Sequence, residues 1–205
     1  MLQAKTHQQK LADLTNELHR HINSGTPYET ILDWLFDSLA PFIPFDRLGI
    51  GILENEGKTV SLRWMRTNLE SSRLVPGFSA PLQGSSLEAL LESNKPRIIN
   101  NLCDYLIAHP ESRSTRAAIH DGILSSLTLP LRFDGKAIGF VFFSSGEINT
   151  YCNAHVEVFS YIAEEISLLV QMGRLRSFFV ANKSYEDFLR SALHDLKTPI
   201  AVSQG

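Results

Sequence analysis

The sequence predicts an α+β domain, with antiparallel strand pairs in its middle and amphipathic helices before and after them. Three observations predict it. Residues 127–133 and 136–145 are apolar runs separated by Asp134-Gly135, a dipeptide suited to a two-residue hairpin because both turn positions take positive φ. A second strand pair, residues 46–53 and 59–65, flanks the turn signal Asn55-Glu56-Gly57. Residues 5–24 and about 153–179 repeat apolar side chains at three and four residues, the period of a helix.

Composition bounds the answer. The 205 residues suffice for one ordinary domain with helical extensions, and a domain of roughly 150 residues buries about 70% of its unfolded surface. A chain 43% hydrophobic and 20% charged is globular and not disordered. The net charge of −3 supplies no basic field for nucleic acid. Cys103 and Cys152 make neither a disulfide framework nor a metal site, and fit a reducing cytosol. The start, Met1 to Lys10, is polar, so no signal peptide is expected. No run approaches the roughly 20 apolar residues of a membrane span. The expected location is cytoplasmic.

The elements follow in order. In 5–24, Leu11, Leu14, Leu18 and Ile22 form a narrow stripe that suits either a seam between two copies or packing against this chain's own domain. Asn23 to Pro27 is a break, with Thr26 expected to cap the next helix and Pro27 to stand in its first turn. That helix carries Ile31, Leu32, Leu35, Phe36 and Leu39 and ends at Pro41. In the first strand pair, Leu48, Ile50 and Ile52 alternate, and Val60, Leu62 and Trp64 are expected on one face. Residues 67–84 read as irregular. Leu87 to Leu91 is a short helix with Ser85 or Ser86 as cap. Arg97-Ile98-Ile99 is a short buried strand, and 102–121 mixes helix and loop. Pro130 places its strand at an edge or a bulge. In the last long helix, Val156, Phe159, Ala163, Ile166 and Val170 keep the three-four spacing. The seam fades before Tyr185, and a bend or slipped register is expected at residues 181–184.

Near the C-terminus the chain reads Ser191-Ala192-Leu193-His194-Asp195-Leu196-Lys197-Thr198-Pro199-Ile200. Placed on a helix at about 100° per residue, Tyr185, Phe188, Leu189, Ala192, Leu196, Pro199 and Ile200 fall within about 60° of one meridian, and His194 lies about 180° from it. Arg190, Lys197, Thr198 and Asp187 share the side of His194. An outward imidazole has a reactive nitrogen near neutral pH. Asp195 beside it can accept a hydrogen bond from one ring nitrogen and leave the other free to attack. Thr198, one turn on, reaches the same visitor. Pro199 leaves the carbonyl of Asp195 without a helical partner, so the helix bends there.

His-Asp-Leu-Lys-Thr-Pro, with Phe188 six residues ahead, resembles the H-box of the dimerisation and phosphotransfer domain of sensor histidine kinases. The resemblance implies that His194 is the phosphoacceptor, that Asp195 assists transfer, and that Thr198 helps position water when the response regulator is dephosphorylated. It implies a homodimer, a response-regulator receiver domain as partner, and ATP as the phosphoryl donor. There is no Gly-rich phosphate loop in these 205 residues. The expectation is therefore of a fragment that continues into a second dimerisation helix and an ATP-binding domain, inactive as a kinase by itself.

Upstream, Lys95-Pro96-Arg97-Ile98-Ile99-Asn100-Asn101, Gly122 to Leu131, and Asp134-Gly135-Lys136-Ala137-Ile138-Gly139 stand in an order that resembles a GAF domain. That implies a central antiparallel sheet with helices on one face and ligand-binding loops on the other, between an N-terminal helix and a long C-terminal helix leading into the phosphoacceptor helix. The expected divisions are 1–25, an N-terminal helix; 26–172, a GAF-like sensor; and 173–205, a linker with the start of the phosphoacceptor domain.

The ligand is unknown from the residues. The segment before Gly122 has no cysteine for a covalent bilin, and the cyclic-nucleotide signature is not evident. Two scattered cysteines fit poorly with a GAF-type methionine sulfoxide reductase. His109 or His120 would be needed for haem, though a surface or satisfied core position is the simpler reading. Arg97, Arg113 and Arg116 are forks for an anionic ligand, with solvated loop charges as the simpler reading. Phe140, Phe142, Phe143 and Trp64 read as core. Two functions follow from these readings. One is a sensor histidine kinase whose GAF domain controls His194; the alternative is a non-catalytic ligand-binding or dimerising GAF module.

Overall fold

Asp134 and Gly135 adopt φ of 50° and 70°, the left-handed pair that lets a two-residue turn follow the twist of its strands. They join β5 (Ser125–Phe133) to β6 (Lys136–Ser145), the longest ladder in the sheet. In this computed structural model residues 2–70 and 72–174 are described. The remaining elements are α1 (Leu2–Asn23), α2 (Tyr28–Leu39), β1 (Arg47–Glu54), β2 (Thr59–Thr67), β3 (Ser79–Pro81), α3 (Ser86–Ser93), β4 (Arg97–Ile99), α4 (Leu102–Ala108) and α5 (Arg113–His120), with α6 over residues 153–174. The expected H-box helix, with His194, Asp195 and Thr198, and the expected bend at 181–184 lie outside the described residues.

The six strands run in the order β3-β2-β1-β6-β5-β4, every pair antiparallel. One face is covered by α2 and by α6 around Phe159. Leu48, Ile50, Val141 and Phe143 are buried there, and Phe36, Phe45, Phe143 and Phe159 follow each other edge to face at 5.2, 5.8 and 4.0 Å between ring centroids. The apolar stripe of α1 is buried within the same unit: Leu14, Leu18 and Ile22 are all 6% exposed or less. Of the two roles read for that stripe, packing on the chain's own domain is the one seen. His19 of α1 also meets Glu165 of α6 at 3.0 Å.

The other face is covered by the segment between β2 and β5, which includes three short helices. Phe140, Val60, Leu82 and Leu90 form one cluster with Phe142, Leu53, Leu87 and Leu91 against it; Leu102, Ala118 and Ile123 form another. Helical turns therefore lie on both faces, more than the loops expected on the second. Gly51 makes room on this face, since a Cβ there would stand 2.9 Å from Val60 and 3.0 Å from the Phe142 ring.

Several local expectations are corrected. A bulge between Ile50 and Gly51 shifts the β1–β2 register: Leu62 pairs with Gly51 and Trp64 with Ile50. Consecutive residues alternate faces, so Trp64 lies on the opposite face from Val60 and Leu62. The cap of α2 is Pro27, not Thr26, whose hydroxyl is paired with that of Ser24 at 2.9 Å. β4 is half-buried along its length, not fully. Pro130 is at an edge in effect, because β4 pairs only with Ser126 to Thr128 and leaves that side of Pro130 without a strand.

Residues Met1–Leu168 form one compact unit. Among the described residues, no helix is long and apolar enough to cross a membrane.

Candidate functional site

Arg97 opens β4, the short outer strand, and pairs across to Thr128 of β5. The chain reaches it from α3 by a sharp stop: Asn94 takes left-handed φ of 51° and its N–H donates to the carbonyl of Leu90, a helix ending for which Asn is well suited. The Asn94 side-chain oxygen accepts from Arg132 Nη1 at 3.1 Å, which fixes the turn to β5. Lys95 and Pro96 then lead into the strand.

Beyond β4, Asn101 caps α4. Its side-chain oxygen accepts from the N–H groups of Cys103 and Asp104 at 3.0 and 3.3 Å. This cap places Tyr105 beside Arg97, with the guanidinium carbon 5.9 Å from the ring centroid, inside the range of a cation–π contact. The other neighbour of Tyr105 is His109, stacked at 4.1 Å and 15°. The His109 Nδ1 also lies 3.0 Å from the Tyr105 carbonyl.

Ser86, Ala89, Leu90 and Ser93 of α3 face Lys95, Pro96, Arg97 and Tyr105 across an open cleft of about 370 Å³. No acidic side chain lines it. Arg97 Nε and Nη1 are shielded from solvent and have no hydrogen-bond partner. Burial pushes the guanidinium below its usual pKa, with Tyr105 acting the other way. The buried guanidinium of Arg47 differs, for it donates to Asp121 at 2.9 Å. Ser85 Oγ, at the start of α3, is likewise buried with no partner.

A second cleft of about 340 Å³ lies among Ile43, Pro44, Phe45, Asp46, Ser145 and Thr150. Two acids line it, Asp46 and Glu147, and Asp46 is already engaged: it accepts from the Gly146 N–H at 2.7 Å and from Ser145 Oγ at 3.2 Å.

The residues read from sequence are dispersed. Arg113 and Arg116 are exposed on α5, and Arg116 donates to the carbonyl of Pro110. His120 is exposed, its Nε2 2.7 Å from Arg73 Nη2. Neither His109 nor His120 lines either cleft. Cys103 and Cys152 are exposed and free. Among the described residues, no group of three or more His, Cys, Asp or Glu is placed to hold a metal. Phe140, Phe143 and Trp64 are core, as read. Of the three arginines considered together, Arg97 lines the first of these clefts, and Arg113 and Arg116 line neither. Tyr105 was missed; a charged residue opening a buried apolar strand was the signal that pointed to its partner.

A family model described as GAF domain matches residues 25–171. The chain belongs to the GAF domain family. Solved structures agree on the fold. The GAF domain of a two-component sensor histidine kinase from Bacillus halodurans superposes with a TM-score of 0.60 at 16% identity, over 71% of this chain and 95% of that one. The phycoerythrobilin-bound GAF domain of a cyanobacterial phytochrome gives 0.64 at 13% identity, over 83% and 99%. The GAF domain of a phosphoenolpyruvate-protein phosphotransferase from Coxiella burnetii gives 0.62 at 13% identity, over 82% and 97%. No curated protein matches the sequence. In this GAF domain the sheet face that carries α3 is filled by Phe140, Phe142 and the leucines around them, and the cleft with a charged end lies beside that packing, where α3, β4 and α4 meet.

Proposed function

We propose that this GAF domain is the sensory part of a homodimeric sensor histidine kinase, controlling phosphorylation of His194 and onward transfer to a response regulator. The observation that carries the reading is the contiguous His194-Asp195-Leu196-Lys197-Thr198-Pro199 that follows the GAF domain in the same chain. The likeness to a GAF domain from a two-component sensor histidine kinase supports it. In the reaction, one imidazole nitrogen of His194 attacks the γ-phosphorus of ATP, a P–N bond forms, and ADP leaves. Asp195 holds the ring so that this nitrogen is unprotonated. The phosphoryl group then passes to an aspartate carboxylate of the receiver domain, and His194 returns to its neutral form. ATP would be held by a domain outside these residues. The helix entered at residue 153 is the proposed carrier of the signal, a two-state element biased by whatever the GAF domain binds.

The test uses the protein joined to its ATP-binding domain. Wild type acquires acid-labile phosphate from ATP and His194→Gln acquires none. Acid-labile label that persists in H194Q defeats the assignment. Absence of label in the wild type favours a non-catalytic, ligand-binding GAF module, a role compatible with the equal likeness to the phosphotransferase GAF domain.

A further inference from the structure

We infer that Cys152, with His155 as its base, is a reactive thiol that exchanges with small-molecule disulfides to form a mixed disulfide. The first argument is geometry. Cys152 is exposed and stands directly before α6, and His155 lies in the first turn of that helix. The Cys152 Sγ and the His155 Nδ1 are 3.6 Å apart. The backbone N–H of Cys152 donates to the same Nδ1 at 3.2 Å. A ring nitrogen that accepts an N–H carries no proton of its own, so its lone pair is turned to the side where the thiol lies.

The second argument is that the base is itself held. The imidazole meets the Tyr151 and Phe159 rings edge to face, each at 6.3 Å between centroids, at 86° and 77°. Both rings belong to the interior, at 2% and 0% exposed. Asn100 brackets Tyr151 in turn, donating to its carbonyl at 2.8 Å and accepting its N–H at 3.1 Å. A nucleophile within reach of a base, with that base oriented by a further group, is the arrangement that activates a thiol. The thiolate is the attacking form, and here it develops at the positive end of a helix.

The exchange balances with one proton. His155 takes the thiol proton as the Cys152 sulfur attacks one sulfur of the disulfide. A new S–S bond forms and the old one breaks. The departing thiolate takes the proton from His155 and leaves as a thiol, so Cys152 is oxidised and the departing half is reduced. An exposed sulfur admits the in-line approach of a disulfide that carries substituents. The site goes beyond the proposed function and its chemistry needs neither ATP nor His194, although it stands at the entry to the helix proposed to carry the signal.

The experiment incubates the 205-residue chain with oxidised glutathione and follows each cysteine by mass spectrometry of its peptide. Cys103 is the internal reference, for it is exposed too and its backbone N–H goes to Asn101, not to a histidine. At about pH 7 Cys152 should form the mixed disulfide at least about tenfold faster than Cys103, the scale of help from a positioned base. In urea, which takes the pair apart, the two rates should converge. His155→Gln should bring the Cys152 rate down to that of Cys103. Should H155Q not fold, His155→Leu keeps an apolar body against Tyr151 and Phe159. Equal rates at the two cysteines of the folded wild type, or an unchanged Cys152 rate in a folded variant, overturn the site. A Cys152 advantage that persists in urea also overturns it, since the folded pairing is then not its source. A dependence on His155 seen with hydrogen peroxide and not with oxidised glutathione overturns the disulfide as substrate class.

Discussion

Arg47 Nη1 and Asp121 Oδ2 meet at 2.9 Å inside the protein, 74 residues apart in the chain, with side chains 8% and 1% exposed. The same carboxylate accepts from Ser72 Oγ at 3.0 Å and from the N–H of Arg73 at 2.8 Å. One buried acid thus ties the first residue of β1, the end of α5 and the segment that leaves β2. Burial alone would raise the Asp121 pKa and is the largest single influence. The bonds from Arg73, Leu74 and Ser72 and the charge of Arg47 together outweigh it and hold the carboxyl below the ordinary range.

Replacing Asp121 with Asn leaves the Arg47 guanidinium buried without its counter-charge, at a cost of about 3–5 kcal/mol. The sign with pH follows from the lowered pKa. The native carboxyl stays ionised below its unfolded value of about 3.9, so its contribution is complete above that value and is lost as pH falls through the native one. In urea unfolding, the gap between wild type and D121N should be widest near neutrality and narrow below about pH 4. A gap independent of pH would contradict an ionised pair.

Gly139 stands where β1 and β6 approach. A methyl group there would overlap the carbonyl oxygen of Gly51, a backbone atom that cannot swing aside. Gly139→Ala should cost about 3 kcal/mol or more, seen as a lower urea midpoint or loss of soluble protein. Gly146→Ala, whose methyl meets the nearest atom at 3.3 Å, should cost much less. Equal losses would mean that strand spacing here is adjustable.

Phe143 of β6 and Phe159 of α6 touch at 4.0 Å between centroids with planes at 60°, and both are wholly buried. Either change to Ala should cost about 3–5 kcal/mol through lost burial and a cavity. The double variant should lose about 1 kcal/mol less than the sum, which is the value of the ring pair itself. Strict additivity in denaturant titrations would show that the contact adds nothing beyond burial.

If His194 is the phosphoacceptor, its neighbours separate by role. Asp195→Asn should slow labelling of His194 by about a hundredfold, as loss of the group that orients the base. Thr198→Ala should leave labelling near wild type and slow regulator dephosphorylation at least about tenfold, since it acts on water and not on the ring. Equal losses of both reactions in T198A would assign Thr198 to helix structure.

Local signals carried far. Asp134-Gly135 is the hairpin, Asn55-Glu56-Gly57 is a turn with positive φ at all three residues, and Ile31, Leu32, Leu35, Phe36 and Leu39 are all buried. Trp64 defeated the same reasoning because a strand's alternation is legible only while its register is unbroken, and a bulge is set by how two strands fit. Among the arginines, Arg97, Arg113 and Arg116 looked alike in sequence. Which of them loses water depends on packing between elements distant in the chain.

The sequence by itself determined the α+β class, the hairpins, the amphipathic helices and the GAF resemblance, because periodicity and turn chemistry act over a few residues. Only the tertiary structure decided that α1 packs on its own domain, that Trp64 crosses to the other face, and that half-buried Arg97 lies beside Tyr105 with two of its nitrogens shielded and without a hydrogen-bond partner. Those outcomes are set by competition among surfaces for burial and by the desolvation of charge, and both depend on neighbours that the order of residues does not name.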